Sequence, residues 1–275
     1  MHYVRIGTCG WSYKDWCGVF YPADLPASEF LPYCADHYPV VEVDSSFYRS
    51  PIPSMVAKWR DRTPETFAFS LKVPQTITHE KCLADCEQDR DSFLAAARLL
   101  GNKLLCCLLQ FGYFNKNRFP DLDSFLARLD PFLAAWPKDV PVAVELRNKN
   151  WFTPKLVHFL RRYNAVWALA DQAWVPSPWY LVNKTDVLTG PFAYIRLLGD
   201  RAEVDKLTPT LDRIVVDRSD QILANARAIA TLKGRVPVVT FVNNHFAGYS
   251  PATIQQLVQA LKKLEKTTGP SADNA

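Results

Sequence analysis

The sequence lacks the features of a protein that crosses a membrane or is exported. Among its 275 residues, no run reaches the roughly 18 uncharged apolar residues that a membrane-spanning helix needs. The first residues, MHYVRIGTCGW, contain neither a basic region followed by an apolar stretch nor a small-residue cleavage site. We therefore expect a cytoplasmic protein with no membrane partner.

Charge of one sign is nowhere concentrated. The 32 Lys and Arg residues against 28 Asp and Glu residues give a net charge of +4, and no cluster of five or more basic residues occurs. A surface devoted to duplex DNA usually carries more positive charge than this. The charge therefore leaves the class of partner open.

Metal-binding and disulfide patterns are also missing. The seven cysteines are odd in number and irregularly spaced, which predicts reduced thiols rather than a disulfide framework. The five histidines form no HxH or HExxH pattern, which argues against a zinc or iron site. The sequence specifies neither a cofactor nor an oligomeric state.

What the sequence does contain is a regular alternation of short apolar runs and helical periodicity. Eight runs read as strands: Tyr3–Cys9, Val40–Asp44, Phe67–Lys72, Lys103–Gln110, Val140–Arg147, Val166–Asp171, Phe192–Leu198 and Val238–Asn243. Eight strand–helix units of about 34 residues predict an α/β fold, a single (β/α)8 TIM-like barrel. Residues 172–190 show no clear amphipathic period, so we expect the helix after the sixth strand to be short or absent. The barrel is predicted to cover residues 1–266, followed by a flexible tail over 267–275.

Alternation along the strands predicts a polar barrel interior. Because successive side chains of a strand face opposite sides, the following residues are directed inward: Arg5, Gly7, Cys9, Glu42, Asp44, Ala68, Ser70, Lys72, Gln110, Ala143, Glu145, Arg147, Asp171, Tyr194, Arg196 and Asn243. This set holds four charges of each sign, which must be paired if they are buried. We expect Arg5 and Glu42, away from the strand ends, to form a structural pair.

The other charges sit where strands end, at the mouth that barrel enzymes use for chemistry. Asp44, Glu145 and Asp171 are the catalytic candidates, as general acid and base or as oxygen ligands for Mg²⁺. The predicted ligand-binding residues are Lys72, Arg147, Arg196, Gln110, Asn243, Asn244, Trp11, Tyr48, Trp151 and His79. The arginines suit a phosphate or carboxylate, and the aromatic rings suit a nucleobase or sugar face. The alternative is an internal lattice of salt bridges without a ligand.

Several motifs together resemble a known family. They are Gly7-Thr8-Cys9-Gly10-Trp11, Phe20-Tyr21-Pro22, Val41 to Tyr48 (VEVDSSFY), Lys72 with Ile77-Thr78-His79, Val144-Glu145-Leu146-Arg147 with Trp151, Tyr194-Ile195-Arg196-Leu197 with Gly199, and Phe241-Val242-Asn243-Asn244. In this order they resemble the YecE-like proteins, the domain of unknown function 72, from about Val4 to Leu261. The resemblance implies a TIM-barrel fold and a candidate site, and it supplies no reaction.

The chain departs from the family pattern at the mouth. The family usually has Asn at position 44, His at positions 148 and 198, and Pro-Pro at positions 112–113, where this chain has Asp44, Asn148, Leu198 and Gly112-Tyr113. The resemblance thus implies that this member either binds without turnover or uses Asp44 instead of those histidines.

Three functions remain open at this point. The first is an enzyme acting on a phosphorylated or nucleotide-like small molecule in an anion-binding cleft. The second is a non-catalytic module that binds single-stranded nucleic acid by stacking and charge. The third, a glycoside hydrolase, requires Glu145 and Asp171 to face each other across an open cleft.

Overall fold

The computed structural model describes residues 3–268 and shows eight parallel strands closed into a barrel in sequence order. The strands are β1 Val4–Cys9, β2 Val40–Val43, β3 Ala68–Lys72, β4 Leu104–Gln110, β5 Val142–Glu145, β6 Val166–Gln172, β7 Ala193–Gly199 and β8 Val238–Val242. Strand β8 closes the barrel by pairing in parallel with β1, with Val4 opposite Val238. Every predicted strand is present, and its ends lie within two residues of the prediction.

Helices cover the outside of the barrel. Within residues 3–268 they are α1 Phe30–His37, α2 Ser45–Tyr48, α3 Pro53–Asp61, α4 Glu87–Ala97, α5 Leu122–Ala134, α6 Pro154–Arg162, α7 Pro178–Lys184, α8 Arg201–Leu207, α9 Ser219–Lys233 and α10 Ser250–Thr268. The helix after β6, predicted to be short or absent, is present with only seven residues. Helix α10 continues two residues beyond the predicted barrel limit, and residues 269–275 of the predicted tail lie outside the described residues.

Two apolar layers stabilise this fold. The larger one lies between the strands and the helices, and the smaller one fills the barrel interior. Interior positions are Cys9, Val40, Ala68, Cys106, Leu108, Ala143, Val166, Ala168, Phe192, Tyr194, Val239 and Phe241, all buried. Because apolar and small side chains fill this part of the barrel, the polar interior residues are left to the ends of the strands. Within the barrel interior, the buried charges Glu42, Glu145 and Arg196 therefore gather toward one rim.

Two expectations about the whole chain can be compared with the structure. All seven cysteines are free thiols. Within residues 3–268, no helix combines the length and the apolar character that crossing a bilayer requires.

Candidate functional site

Arg196 on β7 is the centre of a buried ion cluster at the carboxyl ends of the strands. Its Nη2 lies 2.5 Å from Oε1 of Glu42, and its Nη1 lies 2.5 Å from Oε2 of Glu145. All three side chains are buried, with at most 2% of the side-chain surface exposed. The guanidinium presents several donors in a rigid plane, so it can hold two carboxylates at once. The predicted inward orientation of Arg196 and Glu145 is confirmed.

Two uncharged side chains also donate hydrogen bonds to the carboxylate of Glu42. The hydroxyl of Tyr194 donates to its Oε2, and the Cys9 thiol donates to Oε1 at 3.3 Å. Burial and the nearby Glu42 raise the pKa of the Cys9 thiol, which therefore keeps its proton. Burial raises the pKa of Glu42, but Arg196 and Tyr194 outweigh that effect and lower it, so Glu42 is a carboxylate. Glu42 belongs to the mouth cluster.

The predicted structural pair of Arg5 with Glu42 is wrong. Arg5 pairs in register with Val239, at the other end of the barrel, and its guanidinium lies 5.0 Å from the centre of the Tyr3 ring. The alternation rule placed both side chains inward, but it did not say at which level along the barrel axis each would lie. Glu42 is level with Cys9 and Ser70, so its partner is Arg196.

Asp44 connects the buried cluster to an open cavity. Strand β2 stops at Val43, and Asp44 has helical backbone angles just before α2. The Ser46 hydroxyl ties this turn to β2 and β3, with Val43 O at 2.6 Å and Lys72 O at 2.7 Å. Asp44 Oδ1 lies 3.4 Å from Arg196 Nη2, and 27% of the side chain is exposed.

The pKa of Asp44 suits proton transfer near neutral pH. Burial and the neighbouring Glu42 carboxylate raise it to about 7, against the lowering effect of Arg196 and Lys72. A carboxyl group with a pKa near the working pH can both give and take a proton. Among the three carboxyl candidates, Asp44 is the one that lines the cavity.

The mouth cavity has a volume of about 720 Å³ and lies above the ion cluster. Its lining includes Tyr13, Asp44, Phe47, Tyr48, Lys72, Gln75, His79, Gln110, Arg147, Gln172, Ala173, Trp174, Arg196, Leu198, Gly199, Asp200, Arg201, Asn243 and His245. Of the predicted ligand-binding residues, Lys72, His79, Gln110, Arg147, Arg196, Asn243 and Tyr48 are brought together here.

Two cations of this cavity are weakly compensated. The Lys72 ammonium lies 3.9 Å from the centre of the Phe47 ring, and no carboxylate oxygen of residues 3–268 comes within the 4.0 Å of an ion pair. Burial and Arg196 lower the pKa of Lys72. Arg147 is 37% exposed and meets Glu145 only at 3.4 Å. Both cations are thus available to an anionic ligand.

His79 presents a neutral imidazole to the same cavity. Its Nδ1 lies 2.8 Å from the Thr78 hydroxyl, and its ring meets Phe47 edge-on. Burial, Lys72 and Arg147 all lower the pKa of His79, so the ring is uncharged at neutral pH. A neutral imidazole offers an acceptor nitrogen, although the two neighbouring cations disfavour its protonated form.

The prediction that Asp171 faces the interior is wrong. Its Oδ2 accepts a hydrogen bond from the Asn225 amide of α9, on the outside of the barrel. On β6 the small Ala168 is in the interior cluster, whereas Trp167 and Leu169 pack toward the helices. Asp171 shares the parity of the large residues, and large side chains fill the space between sheet and helices. On this strand the alternation of large and small side chains predicts correctly which residues face the helices, whereas the polar residue at its end does not.

Three further predicted residues do not line the mouth cavity. Asn244 is 1% exposed, and its Oδ1 accepts from the backbone amide of Ser250 at 2.9 Å, which fixes the start of α10. Trp11 packs edge-on against Trp59, 5.5 Å between ring centres, in the outer layer. Trp151 is buried in an aromatic stack with Phe125 and lines a second cavity instead.

The second cavity, of about 530 Å³, adjoins the first. Its lining is Tyr113, Phe114, Lys116, Phe119, Pro120, Arg147, Asn148, Lys149, Asn150, Trp151, Gln172, Ala173, Trp174 and Val175. Asn148 holds its floor, because the side-chain amide accepts from Phe114 N at 2.9 Å and donates to Phe114 O at 2.8 Å. Asn148 therefore has a structural partner rather than a free side chain at the mouth.

A metal ion at the ion cluster would compete with Arg196. Within the described part of the chain, Cys9, Glu42 and Asp44 offer ligand atoms within 4.8 Å of one another. Arg196 Nη2, however, is 2.5 Å from Glu42 Oε1 and 3.4 Å from Asp44 Oδ1. A guanidinium so close to two of the three ligand atoms repels a further cation, so these residues fit a divalent ion poorly.

Gln172 is a residue of the cavity lining that the sequence prediction missed. It shares the parity of Ala168, which faces the barrel interior, but the parity on this strand was taken from Asp171. His245, whose position in a loop after the eighth predicted strand allows it to reach the mouth, does line the cavity. Its Nδ1 lies 3.0 Å from Asn243 Oδ1 and its Nε2 lies 3.3 Å from Asp205 Oδ1.

Comparisons with known proteins place the chain in a family. The family described as "Protein of unknown function DUF72" matches residues 5–274. UPF0759 protein YunF of Bacillus subtilis (strain 168) is 32% identical over 161 residues, which is 55% of this chain and 53% of the relative. UPF0759 protein YecE of Escherichia coli (strain K12) is 29% identical over 150 residues, 54% of this chain and 50% of the relative. The match thus spans about half the length of these curated relatives.

A solved structure extends the agreement to the fold. A DUF72 family protein from Thermotoga maritima MSB8 superposes with a TM-score of 0.73 at 24% identity, over 96% of this chain and 100% of that chain. At this level of identity the similarity concerns the fold.

Proposed function

The chain belongs to the DUF72 family, and from its mouth cavity we propose that it is an enzyme that performs acid–base chemistry on a small phosphorylated molecule. The observation that carries the proposal is the pair of weakly compensated cations, Lys72 and Arg147, beside Asp44 in one cavity. A half-buried ammonium without a carboxylate partner favours a site that an anion completes.

The two weakly compensated cations support a ligand group with several acceptor oxygens. With Asp44 protonated, Arg196, Lys72 and Arg147 exceed the carboxylates of Glu42 and Glu145 by one positive charge, and the cavity residues Asp200 and Arg201 add one charge of each sign. A phosphate monoester supplies two negative charges and several acceptor oxygens, which the ammonium and the guanidinium can both bind. A single carboxylate would leave one of the two free cations without a partner.

Asp44 is the proton-transfer group in this proposal. Its carboxyl lines the cavity, and its pKa of about 7 allows both protonation states at neutral pH. His79, with a neutral ring in the same cavity, is the second candidate for proton transfer. Glu42 and Glu145 are held by Arg196 and act by positioning it, and Asp171 has no part, since it faces α9.

The proposal is tested by measuring the affinity for a phosphate ester. Ribose 5-phosphate is titrated into the protein and into Lys72→Met by isothermal calorimetry. Loss of one charge-assisted contact should weaken binding by about tenfold or more. Lys184→Met is a matched control, because Lys184 also lies near an aromatic ring, Tyr180, but is exposed and outside both cavities. Equal affinities of the parent and Lys72→Met would reject the anion site.

A second candidate function is the binding of single-stranded nucleic acid. Three aromatic side chains at the two adjoining cavities are exposed: Tyr48 by 70%, Tyr113 by 72% and Trp174 by 89%. Exposed rings beside cations are typical of surfaces on which successive bases stack. An oligonucleotide should then bind at low salt and be released steeply as salt rises. Absence of binding at low salt removes this candidate.

The glycosidase hypothesis loses its basis. It requires two carboxyl groups across an open cleft. Asp171 is bonded to Asn225 on the outer side, and Glu145 is bonded to Arg196 and fully buried.

A further inference from the structure

The second cavity has the construction of a site for a flat ring; we call it the aromatic compartment and define it by the lining given above. Its floor consists of buried rings, with Phe114 stacked over Trp151 at 6.2 Å between ring centres. Its rim carries the exposed rings of Tyr113 and Trp174. A planar ligand would therefore meet ring faces and edges on several sides.

The aromatic compartment is continuous with the mouth cavity. Arg147, Gln172, Ala173 and Trp174 line both. Arg147 is one of the two cations assigned to the anionic group, so a molecule held by its anion at Arg147 can extend directly into the aromatic compartment. The two cavities thus suit two parts of one ligand.

A donor without a partner marks the boundary between the cavities. Gln172 Nε2 is buried and has no hydrogen-bond partner among the described residues. Buried amide donors are almost always paired, so each exception calls for an explanation. A ligand that bridges the two cavities and offers an acceptor atom would pair with it, whereas a purely hydrocarbon ring would not.

Trp174 has an unusual backbone conformation for a large exposed residue. Its φ is +76°, in the left-handed region that residues with side chains seldom adopt, and its side chain is 89% exposed. Such outliers cluster at functional sites, where the surrounding structure maintains them. Trp174 lines both cavities, and its exposed ring offers a stacking surface.

We propose that the aromatic compartment binds the base of a nucleotide whose phosphate lies between Lys72 and Arg147. The inference rests on the proposed function for its phosphate end and adds the substrate class. A nucleobase is flat enough to stack on Trp174 and carries ring nitrogen or carbonyl acceptors for Gln172. The polar rim residues Lys116, Lys149 and Asn150 fit the heteroatom-bearing edge of such a base.

The experiment compares whole nucleotides with their parts. The four ribonucleoside 5′-monophosphates, ribose 5-phosphate and the four nucleosides are titrated by calorimetry into the parent chain, Trp174→Ala and Gln172→Ala. At least one monophosphate should bind the parent tenfold or more tightly than ribose 5-phosphate. Trp174→Ala should reduce that affinity about tenfold, within the range measured for loss of base stacking, and leave ribose 5-phosphate binding within twofold. Gln172→Ala should act in the same direction by a smaller factor.

Two further variants separate stacking from general damage. Trp174→Phe retains a ring and should recover most of the nucleotide affinity. Tyr180→Ala removes an exposed ring, 53% accessible, that lies outside both cavities and should change nothing. The inference is overturned if no monophosphate binds more tightly than ribose 5-phosphate, or if Trp174→Ala weakens both ligands equally or neither.

The outcomes also separate this inference from the proposed function. Ribose 5-phosphate that binds and responds to Lys72→Met, with no gain from any base, upholds the anion site and rejects the nucleotide. A nucleoside that binds and responds to Trp174→Ala, with ribose 5-phosphate not binding at all, upholds the base site and rejects the phosphate site.

Discussion

Two arginines contact the carboxylate of Glu145, and they differ in almost every other respect. Arg196 reaches Oε2 at 2.5 Å, is 2% exposed, and also binds Glu42. Arg147 reaches Oε1 only at 3.4 Å and is 37% exposed. The first is fully compensated inside the barrel, and the second still has donors directed to the cavity it lines.

The comparison shows how charged residues at the carboxyl ends of the strands can either stabilise the barrel or remain available for a ligand. A buried charge must be satisfied by the protein itself, so Arg196 and its carboxylates form a closed set. A charge at the solvent boundary costs less to leave unpaired, so Arg147 and Lys72 can be reserved for a ligand. The distinction rests on burial and partners rather than on residue type.

The largest expected effect comes from removing the buried arginine. Arg196→Met leaves Glu42 and Glu145 buried without their cation, which should lower the free energy of unfolding by about 3–5 kcal/mol. Urea denaturation followed by circular dichroism measures the loss. If this variant does not fold, Arg196→Lys keeps the charge without the planar fork and should still lose stability. A loss below about 1 kcal/mol in either variant would contradict the closed-set interpretation.

The next effect concerns the pH dependence of stability at Asp44. The folded state has a raised pKa of about 7, so folded Asp44 keeps its proton at pH values where the unfolded chain has released it. The contribution of protonated Asp44 to the free energy of unfolding is therefore fully present below the unfolded pKa near 4. It is lost as pH rises to about 7. Asp44→Asn should remove this decline and exceed the parent in stability by up to about 4 kcal/mol above pH 7.

Urea titrations of both proteins between pH 4 and pH 8 provide the measurement. The two stability curves should approach each other toward pH 4 and separate as pH rises. Parallel curves over this range would mean that Asp44 ionises normally in the folded protein. Calorimetry in buffers of different ionisation enthalpy adds a second readout, since an anion bound beside Asp44 should cause proton uptake that Asp44→Asn lacks.

The smallest effect on stability is expected from the exposed arginine. Arg147→Met removes only a 3.4 Å contact with Glu145, made by a side chain that is 37% exposed. The free energy of unfolding should therefore change by no more than about 1 kcal/mol. Ribose 5-phosphate affinity should nevertheless fall by about threefold to tenfold, because a ligand contact is lost. A large loss of stability with unchanged affinity would reverse the roles assigned to the two arginines.

The strands could be predicted from the sequence because alternation and β-rich composition are local properties. The same reasoning placed Lys72, Glu145 and Arg196 at the mouth, because side-chain direction along a regular strand follows from the backbone alone. It failed at Asp171, where the polarity of one terminal residue was given more weight than the sizes of Trp167 and Leu169.

The depth of each residue in the barrel was not predictable in the same way. Arg5 and Glu42 both face inward, but the stagger of the strands separates them along the axis. Gln172 reaches the cavity because it shares the parity of Ala168, which faces the interior, whereas the parity taken from Asp171 assigned it to the outside. The stagger, unlike the parity, depends on contacts between strands distant in sequence.

The sequence by itself determined the eight-stranded barrel and most of the ionisable residues that meet at its mouth, since both follow from local patterns repeated along the chain. Only the tertiary structure decided which charges neutralise each other and which remain available, because pairing depends on register, depth and burial. The division between a closed cluster around Arg196 and open cations beside Asp44 is a property of the closed barrel.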